Sequence, residues 1–395
     1  MHYFVYSNKS AWISSGSNKI TGITEADQNF GKDPILELKK EFYNNSFDYP
    51  TRIFLQFDLT DLEKKRSMRS SAGKVPSVSA TSFYIRLYEA EGNKDLSQEY
   101  TLIAHPLSQS WDEGVGKFGD SSKVTNGVSW DYRNNKQGST ATTWTNNIGN
   151  DIKGGNYMTA SLTTAASADA PTSGSQTFSY ESPDVNMDIT PIVNHWLDGR
   201  IPNNGLVLKF SGSQETDSAT FGNLKFFSND THTIYSPRIE VKWRNPVLNI
   251  GDHYNCAGTN TGSMLPLTMS GEVDNYLYMK GLREYYRESE YVKFRVGARK
   301  RYIQKTFTNS VQTVTGSYIP QGSGSYSILD IATGETIVPF GTYSSMSCDP
   351  QSNYFDQHLD GFQPDRTYKI LYKIKYDDEQ EVIYDENWEF KIRRK

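Results

Sequence analysis

Cysteine is nearly missing from this chain. Its 395 residues hold two, Cys256 and Cys348. They form neither a disulfide framework nor a CxxC metal spacing, and both are read as free thiols of a reducing compartment. Long apolar runs are missing too. Nothing approaches the ~20 apolar residues of a membrane span. The N-terminal MHYFVYSNKSAWISS lacks the apolar stretch of a signal peptide, so no route through an encoded signal is expected. Charge of one sign is also lacking. Lys and Arg number 41 against 46 Asp and Glu, for a net charge of −5. Residues 246–395 hold 17 bases against 19 acids. Neither half carries the basic footprint of a nucleic-acid binder. Nucleic acid and membrane are therefore not expected as main partners. Catalytic motifs are missing as well: no HExxH, no GxSxG, no Cys/His pair at ligand spacing. The six histidines are scattered, at His2, His105, His195, His232, His253 and His358. No catalytic residue, metal or cofactor is predicted.

Aromatic residues are plentiful, at 13% of the chain with 26 Tyr. Tyr, Phe, Val, Ile and Thr suit a pleated, half-buried surface. Short alternating runs recur between polar stretches: ILEL (35–38), RIFLQFDL (52–59), SFYIRLYEA (82–90), LVLKF (206–210), NLKFF (223–227) and RIEVKW (238–243). Each is of strand length. After RNPVLNIG (244–251) the pattern returns in YVKFRVGA (291–298), YSILDI (326–331), TIVPF (336–340), TYKILYKIKY (367–376) and NWEFKI (387–392). The reading is all-β: a first domain over 1–245, a linker over 246–290 with a charged linker or short helix at 281–290, and a smaller sandwich over 291–395. The stretches 64–81 and 136–177, rich in Ser, Thr, Asn, Gly and Ala, read as long loops, functional or mobile.

One segment looks chemical: DITPIVNHWLDGRIPNNGLVLKF, from Asp188 to Phe210. Thr190 before Pro191 predicts a helix start and Gly199 its stop. A two-turn helix over 191–198 follows, with Ile192, Val193, Trp196 and Leu197 on its apolar face. As a site, His195 would be a base oriented by Asp198 or Asp188. As scaffold, His195 faces solvent and Asp188 caps locally. With no nucleophile nearby, scaffold is preferred, and His195→Ala is expected to be nearly silent.

Trp111, Trp130 and Trp144 are the candidate binding residues. Exposed, they would stack on a glycan or a partner. Buried, they would pin long loops to the sandwich, which is the favoured alternative. Asp112, Glu113 and Asp120 on a Gly-rich loop would suit Ca²⁺ or a glycosidase pair, but read better as solvated turn acids. Lys293, Arg295, Arg299, Lys300, Arg301 and Lys305 interleave with Tyr291, Phe294 and Tyr302. Alternation along a strand should part charges from aromatics, which favours an acidic neighbouring subunit over nucleic acid. QGSGS (321–325) lacks the Lys and the strand–helix context of a phosphate loop.

The order NFGKDPILEL (29–38), TRIFLQFDLTDL (51–62), FYIRLYEA (83–90), SWDEG (110–114), VSW (128–130), the Asp188–Phe210 segment and FFSND…SPRIEVKW (226–243) resembles the DNRLRE-type domain. That resemblance implies a jelly-roll-like β-sandwich with one short helix over residues 1–245, as in bacterial surface proteins, carbohydrate-binding modules and phage particles. One departure stands out. The family has Arg and Glu where this chain has Phe227-Ser228-Asn229-Asp230, so that pair's role does not carry over. LDGFQPDRTYKILYKIKY (359–376) is similar to the strand entry of fibronectin- and immunoglobulin-like sandwiches, which implies a corner tyrosine at Tyr368. Together the two resemblances imply a non-enzymatic virion protein of a tailed phage, in its neck, tail or fibre-attachment region. Its expected partners are other virion proteins in a symmetric ring or homo-oligomer. The alternative is a carbohydrate-binding protein using the loop aromatics.

Overall fold

The computed structural model describes residues 1–17, 24–43, 46–62, 81–91, 99–136, 138–146, 148–159, 162–164, 167–170, 172–179, 184–243, 263–270, 274–302, 314–377 and 379–394. Strand makes up half of the chain and helix 6%, and the fold is an all-β sandwich architecture. The strands run where alternating runs of apolar and polar residues predict them, because one face of each must be buried. The described residues form two units. The first holds Val5–Glu63 and Ser82–Glu240; the second holds Met1–Phe4 and Val241–Lys395. The expected linker over 246–290 contains strands Leu265–Pro266, Asn275–Lys280 and Tyr285–Arg287. The last two pair with Tyr291–Lys300 and Glu381–Arg393 respectively. The charged stretch 281–290 is thus partly strand, held by Tyr286, whose ring is buried against Phe294 and Phe390. Cys348 is buried; Cys256 lies outside the described residues.

The first unit has an eight-stranded sheet. Its order is Gly174–Ser179, Glu99–Pro106, Leu206–Phe210, Thr51–Phe57, His2–Ser14, Arg238–Trp243, Thr81–Leu87 and Val185–Asp188. A four-stranded sheet, Ser46–Asp48, Ile35–Tyr43, Gly222–Phe227 and Glu89–Glu91, forms its partner layer. Trp12 lies opposite Ile53 on the large sheet, stacks on Phe30 at 3.8 Å, and is approached by Lys39 Nζ from the small sheet. That face is the sandwich interior.

The other face of the large sheet is covered as well. Thr51–Phe57 is buried at six of its seven positions, because Arg52 and Phe54 meet a further layer. Ala11, Ile13, Phe54 and Val207 from the sheet pack with Leu107, Trp111, Val128 and Trp144. The polar region after Pro106 is therefore not one long loop. It contains a small three-stranded sheet, Tyr132–Asn134, Thr142–Thr145 and Asp151–Ile152. The edge strand Gly174–Ser179 of the large sheet also falls in the stretch 136–177 expected to be loop. Few apolar residues are needed there, since each buried tryptophan, Trp111 and Trp144, covers a large area.

Helix α1 spans Thr190–Leu197 with Pro191 in its first turn. Ile189, not Thr190, is the N-cap, and no side chain caps the helix. The Thr190 hydroxyl instead accepts the Phe83 amide at 2.9 Å, so it holds helix to strand. Asp188, one residue before the N-cap, accepts the Thr190 amide at 2.8 Å; this local bond holds the helix entry without being an N-cap. Gly199 has φ +66° and ends the helix. His195 departs from expectation: it is buried at 3% exposure, beside Ile192, Val193 and Trp196. A helix lying deep in a sandwich buries more than one stripe, and sequence periodicity does not reveal that depth. Trp196→Ala is expected to cost about 3–5 kcal/mol. His195→Ala is no longer expected to be silent; denaturant unfolding should show a loss of about 1–3 kcal/mol.

The second unit has two sheets. The first runs Leu265–Pro266, Ser317–Tyr318, Tyr291–Lys300, Ser352–His358 and Ser347–Asp349, with Asn275–Lys280 also on Tyr291–Lys300. The second runs Tyr285–Arg287, Glu381–Arg393, Thr367–Lys375, Gly324–Asp330 and Thr336–Val338. Between them lies an aromatic core. Phe355 stacks on Tyr326 at 3.7 Å, and Phe294 meets Phe390 at 5.2 Å. The Tyr368 hydroxyl donates to the Gln363 carbonyl at 3.0 Å, the backbone return expected of a corner tyrosine. Tyr368→Phe should cost about 0.5–1.5 kcal/mol in chemical unfolding, with no change of fold.

Candidate functional site

The outer layer of the first unit encloses the densest group of ionisable side chains found there. Strand alternation places Arg52, Lys209 and His105 on the outward face of the large sheet. The short helix α2, Gly212–Thr216, brings Glu215 over them. Arg52 Nε and Nη2 donate to the two Glu215 oxygens at 2.8 and 3.0 Å. Lys209 Nζ lies 2.6 Å from Glu215 Oε2. Arg52 Nη1 also donates to the Gly154 carbonyl. The Arg52 guanidinium sits 4.7 Å from the Trp130 ring centre and 5.3 Å from that of Tyr157. Tyr157 in turn stacks on His105 at 5.3 Å.

The electrostatics follow from this geometry. Burial alone would raise the Glu215 pKa. The hydrogen bonds and charge of Arg52, with those of Lys209, override it and hold the group below the ordinary carboxylate value. His105 is lowered to about 4, first by burial and then by the Lys209 charge. One carboxylate thus neutralises two buried cations while the histidine beside them stays neutral. The arrangement resembles catalytic machinery in composition, but its groups are spent on one another. Its members come from four distant segments, so sequence reading missed it. The one signal in sequence was a charged residue at an otherwise apolar strand position, in TRIFLQF and in LVLKF.

The three tryptophans split. Trp111 and Trp144 are buried. Trp111 Nε1 donates to the Asn204 carbonyl at 2.9 Å, and Trp144 Nε1 to that of Ser129 at 3.1 Å. Neither ring offers a face to a sugar as the layer is folded; both pin it to the sheet. Trp130 is half-buried and carries Arg52 against its ring.

The acids of WDEGVGKFGD do not converge. Asp112 pairs with Lys136 at 2.9 Å. Glu113 pairs with Lys32 at 2.6 Å and accepts the Ser10 amide at 2.9 Å. Asp120 accepts the Lys117 amide at 2.7 Å. Among the described residues no group of three or more His, Cys, Asp or Glu stands where it could hold a metal, and no helix is long and apolar enough to cross a membrane. Asp112, Glu113, Gly114, Val115, Asn126 and Lys136 line an open cleft of ≈ 400 Å³. Asn229 and Asp230 tie this loop down. Asn229 donates to Glu113 at 3.3 Å, and Asp230 accepts from Lys32 at 3.2 Å.

The loop is held from beneath by Asn29, which is fully buried. Its amide nitrogen donates to the Glu113 and Val128 carbonyls, both at 2.8 Å. Its oxygen accepts the amides of Gly116 at 2.8 Å and Gly31 at 3.2 Å. Gly114 and Gly116 come so near that a Cβ on either would stand 2.3 Å from an Asn29 oxygen. On this loop Val115 is 58% exposed and Phe118, which packs against Trp12 and Phe30, is 46% exposed; Ile148, on the separate turn between Thr142–Thr145 and Asp151–Ile152, is 80% exposed. Compared with protein-family models and with the curated proteins, the chain matches none.

Proposed function

We propose that this chain is a non-enzymatic structural protein of a tailed-phage virion, working in the neck, tail or fibre-attachment region through many repeated protein contacts. The observation that carries the reading is the outer layer of the first unit. Its loops are fixed by Asn29, Trp111 and Trp144, and they hold Val115, Phe118 and Ile148 in the open. Ordered apolar side chains lose little entropy when a partner covers them, and repetition around a symmetric assembly multiplies a modest contact. The saturated Arg52–Glu215–Lys209 group supports a structural task over a catalytic one. The sequence order that resembles DNRLRE-type and immunoglobulin-like domains supports the virion setting.

The test is a mass-spectrometric inventory of purified particles from the host that makes the chain, with electron microscopy of the recombinant protein. The chain in particles, or in a closed ring that Val115→Asp and Phe118→Asp weaken, is the expected result. Particles without it would overturn the reading. The alternative, glycan binding through the loop aromatics, narrows to Trp130, since only that ring of the three is partly open.

A further inference from the structure

The second unit carries a surface that the virion reading does not use. In Tyr291–Lys300, Val292, Phe294, Val296 and Ala298 face the core. Lys293, Arg295, Gly297 and Arg299 therefore face out. Within this strand Phe294 parts from the charges, as alternation predicts, whereas Tyr291, 47% exposed, shares their outward face. The adjacent strand Asn275–Lys280 adds further rings. It sets Tyr276 opposite Arg299 and Tyr278 opposite Gly297, on the same outward face.

The two tyrosine rings lie side by side, 6.1 Å apart and within 17° of parallel. Gly297 makes this possible: a Cβ there would stand 2.4 Å from Tyr278 Cζ. A glycine inside a strand weakens it and commonly marks a close approach; here the approach is a ring lying down across the sheet. Cations frame the rings. The Arg299 guanidinium is 4.6 Å from the Tyr276 centre and Lys280 Nζ is 5.9 Å from that of Tyr278. Lys293 Nζ is 3.9 Å from the ring of Tyr354.

The charge on this face is cancelled only in part among the described residues, by Asp349 at Arg295 and by Asp356, which stands opposite Lys293 on the next strand. Asp349 takes both outer nitrogens of Arg295, at 2.8 and 2.7 Å. Arg299 donates only to the Lys300 and Arg301 carbonyls, and Lys280 to that of Gln351. Among the described residues no carboxylate forms an ion pair with Arg299, Lys280 or Lys293.

We propose that this face binds an acidic polysaccharide, its sugar rings stacked on Tyr276 and Tyr278 and its carboxylates met by Arg299, Lys280 and Lys293. Flat neighbouring rings suit the apolar faces of consecutive sugars. A nucleic acid strand follows a continuous basic groove, whereas Arg299, Lys280 and Lys293 stand apart on two strands of this face. The proposal is independent of the virion reading.

The experiment is native affinity electrophoresis of the full chain in gels cast with polygalacturonate, with neutral dextran, or with added oligo(dT). Retardation in polygalacturonate alone is expected, weakening with salt. Tyr276→Ala and Arg299→Gln should each weaken it by about tenfold, while Tyr278→Phe, which keeps the ring, should bind as the parent does. Circular dichroism and melting confirm that each variant is folded. No retardation of the folded parent, equal retardation of the Tyr276 and Arg299 variants, equal retention in dextran, or tighter binding of oligo(dT) would each overturn the proposal.

Discussion

Glu215→Ala is expected to destabilise the first unit by about 3–5 kcal/mol, because it leaves two buried cations without their carboxylate. Arg52 and Lys209 are 9% and 4% exposed and stand beside each other on the sheet. Glu215→Gln should cost nearly as much, since it preserves shape and removes the charge. Replacing all three together, as Arg52→Met, Lys209→Met and Glu215→Leu, should cost far less than the single change, because no charge is then stranded. Urea unfolding of the four proteins makes the comparison.

The same cluster sets an acid response. Burial and the Lys209 charge hold His105 down to about 4 in the folded protein, against an ordinary imidazole value of 6.5. Its folded value is depressed, so the unfolded chain takes the proton first. Stability is complete above about 6.5 and falls as pH drops from there towards 4. Glu215 is likewise held below its ordinary value. Its contribution is full above the unfolded carboxylate pKa of about 4.3 and is lost as pH falls through the lower folded value. Acid unfolding should therefore weaken the unit in two stages. His105→Gln should flatten the first and leave the second; a melting series from pH 7.5 to 3 that is unchanged in this variant would exclude the assignment.

Asn29→Ala is expected to cost on the order of 4 kcal/mol, at about 1 kcal/mol for each of four hydrogen bonds lost from a buried amide. The effect should be local as well as global. With Asn29 gone, the carbonyls of Glu113 and Val128 and the amides of Gly31 and Gly116 lose a common partner. The 112–128 loop should then become the first site of proteolysis. Asn29→Asp keeps one acceptor but sets a second acceptor oxygen against the Glu113 and Val128 carbonyls in a buried site, so it should cost at least as much as Asn29→Ala. If Asn29→Ala leaves both melting and proteolysis unchanged, the loop is held by its tryptophans instead, and the rigid base argued for partner contacts is lost.

Much of the fold was legible in order of residues. RIFLQF, LVLKF and TYKILYKIK announce strands because alternation is a local property. Pro191 and Gly199 bracket a helix for the same reason. The site was not legible. Trp111 and Trp144 pin their loops, as the favoured alternative expects, but the residues they pack against, Phe54 and Val207 among them, form apolar surroundings only in space. His195 looked outward on a helical wheel and is enclosed by depth. Arg52, Lys209 and Glu215 are separated by up to 163 residues and become one group only when two strands and a helix assemble.

The sequence by itself determined an all-β chain with a short helix, because periodicity and turn chemistry act over a few residues; the corner tyrosine at Tyr368 was implied by the resemblance to immunoglobulin-like sandwiches. Tertiary structure alone decided which polar residues are buried and which aromatic residues meet cations. It converted the polar insertion into a third layer, and it laid Tyr276 and Tyr278 beside Arg299. Those outcomes depend on which strands become neighbours, and neighbour choice is a long-range property that no short window of sequence contains.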